Sequence, residues 1–515
     1  MGTHLFQRDL RPGDVYSEKN REAIVEGIAV GGMYALVYYG RGDFRVIEHR
    51  PIFYTSNDLI IKVEMVHRCG TEVKYYHQGY PPIDNLLLQK LRDITELKGH
   101  FDPSNLSDYV RLLDNEHSSH EVKDGFHRQL AEHLNSLNGR QRETFCECLF
   151  REWGRVVGHE MVGVIEKVGS NVKNLTIPLG YLSTLSERIP KKYRDFKEGD
   201  RVILQPRVAQ YKPTREGLGR KGVAGVQLLG SEYENLSRTL DGGYAQCIRA
   251  TPELIQSGCI IRVPDGVSDV EAALVEPVAC LVDCLDLATH PEGQDEQGNI
   301  MKKGVARGGT TAIIGSGALA YIAAELALTC DKDMQIGGAS KVVMLVRSQE
   351  KAELGKRLLE ADFGGSVEFL IYDSGLSPRD IVSNLENKFR GTFFFDDIVV
   401  AAGDARTVEL AHRMVSGTGW RVHTLAGTRS NAVIESGVWH YGNASTSGTS
   451  GCNTRAMENV MKMIQRGTAK LSQFSGKRYT FKDLLKGPRE FFTDKHLRPV
   501  LLPNEGVPEI RWREL

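Results

Sequence analysis

The sequence predicts an α/β chain that combines a mostly β domain, interrupted by a helical insertion, with a doubly wound domain built on a parallel sheet. Between residues 310 and 440, short apolar runs alternate with helical patterns. This alternation is typical of parallel strands connected by helices. Residues 33–80 and 153–280 instead contain β-rich runs bounded by Gly and Asp, and the charged stretch 81–152 between them has helical periodicity.

Size and composition narrow the classes of function. A chain of 515 residues accommodates roughly two to four ordinary domains. Charged residues make up 25% of it, yet the net charge is −1, which argues against a nucleic-acid or membrane partner found by bulk electrostatics. No apolar run is long enough for a transmembrane helix. Nine cysteines without a secretory signal predict reduced thiols in a cytoplasmic protein.

The first elements lead to a cysteine. Residues 1–29 are polar and are predicted to be an extension. Ala35–Tyr39 and Phe44–Glu48 read as two strands joined by a Gly-Arg-Gly-Asp turn. A third predicted strand, Asp58–Val66, runs directly into Cys69, so this thiol is expected at the rim of a sheet.

Two segments are predicted to be insertions. In 81–152, leucines recur at helical spacing, and histidines are frequent: His100, His117, His120, His127 and His133. These histidines are compatible with a second metal site, but a solvated helical surface is the favoured interpretation. Cys146 and Cys148 form a C-x-C pair with no second pair nearby, which is a weak metal signal. The other insertion, 171–196, is rich in Lys, Arg and Pro.

The β pattern returns after the helical segment. Met161–Val168 and Arg201–Gln205 are predicted strands, and 241–250 is a turn followed by another strand. A long apolar helix is expected from Pro277. The Gly-rich stretch 289–309 is interpreted as a connection between domains.

A candidate dinucleotide turn opens the alternating region. Gly315, Gly317 and Ala320 occupy the spaced positions of G-x-G-x-x-A, between an apolar strand and an Ala-rich helix. In such a turn the first glycine makes the bend, the second allows close approach of a pyrophosphate, and a small third residue lets the helix pack on the strand. The alternative is a helix start that binds nothing.

The cofactor choice is predicted from the end of the second strand. NAD-binding domains place an acidic residue there to bind the ribose 2′-hydroxyl. Arg347 stands at that position, followed by Ser348. Since an arginine cannot accept those hydrogen bonds but can pair with a 2′-phosphate, NADP is favoured over NAD. The alternative is a solvated Arg347 and a loose choice of cofactor.

Four residues form a candidate zinc site. Cys69, His159 and Glu160 lie next to predicted strands and glycines, and Glu276 precedes Pro277 at a helix start. Zinc accepts such sulfur, nitrogen and oxygen ligands while keeping a position open for a substrate. Taken singly, each residue has an ordinary structural interpretation.

Read together, several motifs resemble the zinc-dependent medium-chain dehydrogenase/reductase family, in that family's order. They are C-G-T-E, G-H-E-M-V-G-V-I-E-K-V-G, F-K-E-G-D-R-V, D-G-G-Y-A-Q, E-A-A-L-V-E-P-V-A and the Gly-rich turn. The resemblance is strongest to the polyol dehydrogenase branch. It implies a GroES-like catalytic domain at 1–288, with the 81–152 insertion, and a Rossmann domain at 289–440. Residues 441–515 would return to the catalytic domain, and the active site would lie in the cleft between the domains.

The resemblance also implies roles for individual residues. Cys69, His159 and Glu160 match the positions that bind the catalytic zinc, and Glu276 matches the acidic residue that ligates or approaches it. Thr71 matches the hydroxyl that contacts the substrate oxygen and passes on its proton. Tyr75 matches a substrate-pocket tyrosine. Gly315, Gly317 and Ala320 match the family's cofactor turn.

Three departures from the family pattern stand out. No cysteine lies between Val202 and Gln246, where many members carry a four-cysteine zinc lobe, so one zinc is expected. Lys74 replaces the histidine that relays the proton in alcohol dehydrogenases. The predicted ribose position holds Arg347 instead of an acidic residue.

The expected function is zinc-dependent hydride transfer between NAD(P)(H) and an alcohol or carbonyl group of a polyol, sugar or sugar phosphate. Lys74 and Arg207 are candidate contacts for a phosphate. Two alternatives stay open, namely a general alcohol or aldehyde reductase acting on non-sugar substrates and a non-catalytic assembly or ligand-binding protein. The expected partner is a small-molecule substrate, and the expected assembly is a homo-oligomer, either a dimer or a tetramer.

Overall fold

A computed structural model describes most of the chain outside the two predicted insertions. The described residues are 25–30, 32–50, 52–79, 155–175, 195–206, 240–256, 258–287, 289–295, 298–331, 333–334, 336–389, 395–415, 419–428, 431–434, 437–442, 444–449, 451–494 and 497–514. The 81–152 insertion with its histidines, Cys146 and Cys148, most of 171–196, and Arg207 lie outside them.

Strands dominate the first part of the chain and recur at its end. In chain order they are β1 (Val25–Val30), β2 (Met33–Gly40), β3 (Asp43–Arg50), β4 (Phe53–Thr55), β5 (Leu59–His67), β6 (Arg155–Val156), β7 (Glu160–Val168), β8 (Arg201–Leu204), β9 (Cys247–Ala250), β10 (Ile260–Arg262), β11 (Thr289–Asp295), β12 (Gly298–Lys303), β13 (Thr310–Ile314), β14 (Lys341–Val346), β15 (Val367–Ile371), β16 (Asp397–Val400), β17 (Arg421–Thr424), β18 (Ser445–Gly448), β19 (Arg478–Tyr479), β20 (Val500–Leu501) and β21 (Arg511–Glu514).

Helices concentrate in the second half of the described chain. They are α1 (Gly70–Gln78), α2 (Pro252–Gln256), α3 (Asp269–Ala272), α4 (Val275–Asp286), α5 (Ala318–Leu328), α6 (Gln349–Phe363), α7 (Pro378–Phe389), α8 (Ala405–Arg413), α9 (Gly437–Gly442), α10 (Thr454–Gln465), α11 (Phe481–Leu485) and α12 (Arg489–Thr493). A helix able to span a bilayer is not found in the part of the chain that the structure describes.

The chain divides into two compact units. The terminal unit comprises Met1–Val263 and Lys477–Leu515, and the central unit comprises Pro264–Gly476. The return of the C-terminal segment to the first unit follows the predicted order of the domains. The observed boundaries, however, differ from the predicted ones at 288/289 and 440/441.

Packing explains both differences. Helix α4 packs against α10 and α5 and therefore belongs to the central unit. Strand β18 is the sixth strand of the central sheet, so the chain stays in that unit beyond residue 440. In the sequence, α4 follows β-rich segments. The sequence pattern alone does not show which elements its apolar face packs against.

The terminal unit is mostly β. Its main sheet has the order β10-β8-β7-β5-β20-β19, with β9 also paired to β5. Strands β5 and β7 run antiparallel and bury most of their residues, and Gly163 of β7 lies so close to β5 that a Cβ there would be 2.4 Å from the Lys62 carbonyl oxygen. A glycine is therefore required for this pair of strands to approach.

The central unit contains a six-stranded, all-parallel sheet in the order β15-β14-β13-β16-β17-β18. Numbered within the sheet, this is 3-2-1-4-5-6, the doubly wound order that places a ligand crevice beside the first strand. Strands β14 and β16 are nearly continuous apolar runs, as expected for strands covered on both faces of the sheet. The predicted fold class is confirmed for the β-rich part and the parallel sheet.

A buried carboxylate anchors the β11–β12 hairpin to this sheet. Asp397, at the start of β16, accepts hydrogen bonds from His290 (2.9 Å), His423 (2.8 Å) and the Ala306 amide (2.8 Å). Burial alone would raise the pKa of Asp397, but the hydrogen bonds from the two histidines lower it to about 2. The ionised carboxylate therefore stabilises the folded unit.

We expect Asp397→Asn to lower the free energy of unfolding of the central unit at pH 7 by about 2 kcal/mol, since a pKa below its unfolded value stabilises the fold above that value. The loss should shrink as the pH falls from about 4 towards 2, where the wild-type carboxylate also becomes protonated. Urea unfolding across that range measures it, with exposed Asp265→Asn as the control. An equal, pH-independent effect of both substitutions would contradict the prediction.

Candidate active site

Cys69 lies where β5 passes into helix α1. It is the N-cap residue of α1, and its sulfur accepts a hydrogen bond from the Thr71 amide at 3.4 Å. The Thr71 hydroxyl oxygen is also 3.4 Å from this sulfur. A helix N-terminus favours negative charge, so this is a suitable place for a sulfur ligand of a metal.

Strand pairing brings His159 and Glu160 to the same end of β5. In the register of β5 with β7, His67 lies opposite Glu160. Gly158, directly before them, has φ +96°, and a Cβ there would be 2.6 Å from the Tyr244 ring. The turn that presents His159 therefore requires glycine.

Three predicted ligands form one cluster. One ligand atom each from Cys69, His159 and Glu160 lies within 4.8 Å of the others. Glu160 is buried, and its Oε2 accepts a hydrogen bond from the buried Arg498. Its Oε1 has no hydrogen-bond partner among the described residues. A buried, unpartnered carboxylate oxygen is costly, and a metal ion next to the sulfur and imidazole would compensate for it.

The electrostatics of the cluster favour a cation. Glu72, which is fully buried, lies with Oε1 2.9 Å from His159 Nδ1. Burial alone would lower the pKa of His159, but the Glu72 carboxylate and the Cys69 sulfur raise it well above its ordinary value. The negative groups around the imidazole thus stabilise positive charge. The donor set of sulfur, nitrogen and oxygen, with a carboxylate orienting the histidine, fits zinc.

The two other predicted residues of this region differ in position. Thr71 is partly exposed and contacts the sulfur of Cys69, in agreement with a place beside the metal site. Tyr75 is 2% exposed and packs against the Tyr38 ring, with ring centroids 5.9 Å apart. Helix α1 thus directs the Tyr75 side chain into the core of the terminal unit, and its role in a substrate pocket stays a prediction.

The candidate dinucleotide turn has the predicted geometry. Gly315 follows β13 with φ +151°, and a Cβ on it would lie 3.3 Å from Ala320 Cβ. Gly317 is the N-cap of α5, and a Cβ there would meet no atom within 4 Å. Open space above the first amides of α5 suits a phosphate group. Ala320 is buried against the turn, as the small third residue of the motif requires.

Arg347 and Ser348 follow the neighbouring strand. Strand β14 pairs with β13 and ends at Val346, so Arg347 directly follows the second strand and is exposed. Ser348 is the N-cap of α6, and its hydroxyl accepts a hydrogen bond from the Lys351 amide at 3.4 Å. The Ser348 side chain therefore already has a structural partner.

Glu276, which is predicted to ligate or approach the same metal, lies beside two cysteines of its own unit, and its role at the metal stays a prediction. It lies in the central unit, in the first turn of α4, and is buried. Its Oε1 is 3.6 Å from the Cys280 sulfur and 4.0 Å from the Cys452 sulfur. The structure thus groups Cys69, His159 and Glu160 in the terminal unit and groups Glu276 with two cysteines in the central unit.

Two residues of the site, Glu72 and Arg498, are not predicted from the sequence. Glu72 lies three positions after Cys69 within C-G-T-E, and its place in the first turn of a helix is the signal that identifies it as a partner of a nearby ligand. Arg498 is 338 positions from Glu160 and has no local signal. It reaches Glu160 because β20 pairs with the end of β5.

Comparison with known proteins extends these observations. No protein-family model matches the chain. A curated relative, mannitol-1-phosphate 5-dehydrogenase from Aliivibrio fischeri, is 24% identical over 321 residues, which cover 61% of this chain and 63% of that protein. The aligned part is thus less than two thirds of the relative's length.

Solved structures resemble almost the whole chain. The 2R,3R-butanediol dehydrogenase of Bacillus subtilis superposes with a TM-score of 0.57 at 17% identity, covering 92% of this chain and 100% of the other. Galactitol-1-phosphate dehydrogenase of Escherichia coli gives a TM-score of 0.56, also at 17% identity and with coverages of 92% and 100%. The chain has the fold of these dehydrogenases. This similarity confirms the predicted fold, a GroES-like domain combined with a Rossmann domain.

We expect Glu72→Gln to weaken zinc binding by roughly 10- to 100-fold, because it removes the negative charge that orients and polarises His159 without removing a ligand. Competition with a chromophoric chelator measures the affinity. Glu198→Gln, an exposed substitution in the same unit, is the matched control and should change nothing. Equal affinities of the Glu72→Gln variant and the wild type would show that His159 does not depend on this carboxylate.

Proposed function

We propose that the protein is a zinc-dependent oxidoreductase that transfers a hydride between NADP(H) and an alcohol or carbonyl group of a polyol, sugar or sugar phosphate. The main support is the cluster of Cys69, His159 and Glu160, in which one buried carboxylate oxygen has no hydrogen-bond partner in the described part of the chain. The Gly315 turn on a doubly wound sheet supports the nucleotide.

Each residue of the cluster has a distinct task in this proposal. Cys69, His159 and Glu160 hold the metal, while Glu72 fixes the imidazole through Nδ1. Arg498 pairs with one oxygen of Glu160 and leaves the other for the metal. When bound, zinc supplies Lewis acidity for the substrate oxygen, and the nicotinamide exchanges the hydride.

Thr71 is the proposed proton carrier. Its hydroxyl lies beside the Cys69 sulfur and is partly exposed, so it is placed to exchange a proton with a substrate oxygen bound near the metal. Lys74, one helical turn further along α1, stands where alcohol dehydrogenases continue the relay with histidine. We propose that the proton passes from Thr71 to solvent without that histidine.

Phosphorylated polyols are the substrates that we favour. The C-terminal half of the sequence resembles L-sorbose-1-phosphate reductase in L-V-E-P-V-A-C, F-D-D-I-V-V and Y-G-N-A-S-T-S-G-T-S-G-C-N-T. The curated relative acts on mannitol 1-phosphate by its name, and one of the similar structures is named for galactitol 1-phosphate. Lys74 is a candidate contact for the phosphate.

The decisive experiment measures nicotinamide absorbance with sugars, polyols and their phosphates, using NAD and NADP in parallel. We expect turnover with a polyol phosphate. In Cys69→Ser, turnover should fall by roughly 100- to 1000-fold and the bound metal should be lost. Exposed Cys330→Ser is the control and should keep both. Full turnover by metal-free Cys69→Ser protein would disprove the metal role. Activity on simple aldehydes alone would favour a general aldehyde reductase.

The cofactor preference provides a separate prediction. We expect Arg347→Ala to raise the KM for NADP by roughly 10- to 100-fold, because it removes a charge-assisted contact to the 2′-phosphate. The KM for NAD should stay unchanged. Arg357→Ala, an exposed substitution on α6, is the control. A wild-type enzyme that already prefers NAD would contradict the assignment of Arg347.

A further inference from the structure

We propose that a cavity in the central unit is a binding site for a small molecule that carries phosphate groups. The cavity has a volume of about 700 Å³ and is lined by α4, β12, residues 333–334 and α10 with its two cap residues. All of its described lining residues belong to the central unit. The inference goes beyond the proposed hydride transfer and does not depend on it.

The size and the charge of the cavity suit a polar anion. Binding sites for small molecules commonly have volumes of roughly 300–1,000 Å³. Lysine and arginine side chains outnumber carboxylates among the described lining residues, namely Lys302, Lys303, Arg455, Lys462 and Arg466. A concave surface with an excess of one charge attracts ligands of the opposite charge.

Two of the aspartates that line the cavity are paired with cations of the same lining. Asp286 lies 2.8 Å from the Lys303 ammonium, and Asp333 pairs with Arg466. These pairs neutralise one another, so they neither attract nor repel an anion strongly.

The third aspartate, Asp283, is satisfied by an uncharged partner. Asn453 donates from its side-chain amide to both Asp283 oxygens (3.0 and 2.9 Å) and from its backbone amide to Asp283 Oδ2 (3.1 Å). Burial raises the pKa of Asp283 to about 6, which brings its protonation close to neutral pH. This carboxylate therefore opposes an anion less than an exposed one would.

Arg455 and Lys462 are the cations that this pairing leaves available. Neither side chain forms an ion pair or a hydrogen bond within the described part of the chain. With Asn459 they stand at i, i+4 and i+7 of α10, so all three share one face of the helix. The guanidinium supplies a two-pronged donor, the ammonium a point charge and the amide a further donor, a combination that matches the oxygens of a phosphate.

The position of Arg455 also favours an anionic ligand. It lies in the first turn of α10, and this turn contains no acidic residue. The positive end of the helix dipole makes a cation unfavourable there. A bound anion would offset both the dipole and the guanidinium charge.

Calorimetric titration of the full chain with pyrophosphate tests the proposal, in the presence of saturating NADP. We expect Arg455→Gln combined with Lys462→Gln to weaken pyrophosphate binding by roughly 100-fold, because two charge-assisted contacts are lost. Lys356→Gln combined with Arg357→Gln is the matched control, since it removes the same charge from exposed positions on α6. This control should bind as the wild type does. Pyrophosphate held at any other site stays bound in the cavity variant, so the part that is lost identifies the cavity.

Three results would overturn the proposal. Equal affinities of the wild type and the cavity variant would show that the cavity does not bind pyrophosphate. An equal loss in the cavity variant and in the α6 control would reduce the effect to the overall charge of the protein. Succinate that binds as tightly as pyrophosphate would contradict the assignment to phosphate. Circular dichroism verifies that each variant is folded, and calorimetry detects binding without turnover, so the outcome is independent of the proposed function.

Discussion

The antiparallel pairing of β5 with β7 and β20 is the constraint on which the candidate active site depends. Its registers place His67 opposite both Glu160 and Val500, at the end of β5 that leads into Cys69. Three segments that are remote in sequence thereby deliver a thiol, an imidazole, a carboxylate and a guanidinium to one edge. Gly163 makes the pairing possible, since any side chain there would collide with the β5 backbone. A shift of one residue in the register of β5 with β7 would move Glu160 away from the end of β5 that leads into Cys69.

Burial gives this edge its chemical character. Glu72 and Glu160 are almost completely removed from solvent, and a buried carboxylate is unfavourable unless it is paired. Arg498 satisfies part of this requirement, and burial lowers the pKa of its guanidinium in turn, against the opposing charges of Cys69 and Glu72. The pKa of His159 is raised by the same negative groups, Glu72 and Cys69. The cluster is therefore poised for a cation by its desolvated anions, and not only by the identity of three ligands.

Local patterns predict the cofactor turn well and the metal site only in part. The Gly315 turn is contiguous in sequence, and its strand, bend and helix each follow from short-range periodicity and glycine geometry. The metal cluster joins positions that sequence spacing does not relate, so only the family resemblance assembled Cys69, His159 and Glu160. The sequence pattern does not predict Arg498, because it reaches the cluster through the pairing of β20 with β5, and β20 lies near the end of the chain. The burial of Tyr75 depends on the direction of one residue on α1, which the sequence pattern alone does not determine.

The membership of α4 changes how Glu276 is understood. Sequence order groups this helix with the β-rich segments before it, and the family resemblance matches Glu276 to an acidic residue that ligates or approaches the zinc. In the structure, α4 packs on α10 and α5, so its first turn is built by the central unit. The immediate environment of Glu276 is then set by Cys280, Cys452 and the Asn453–Asp283 contact.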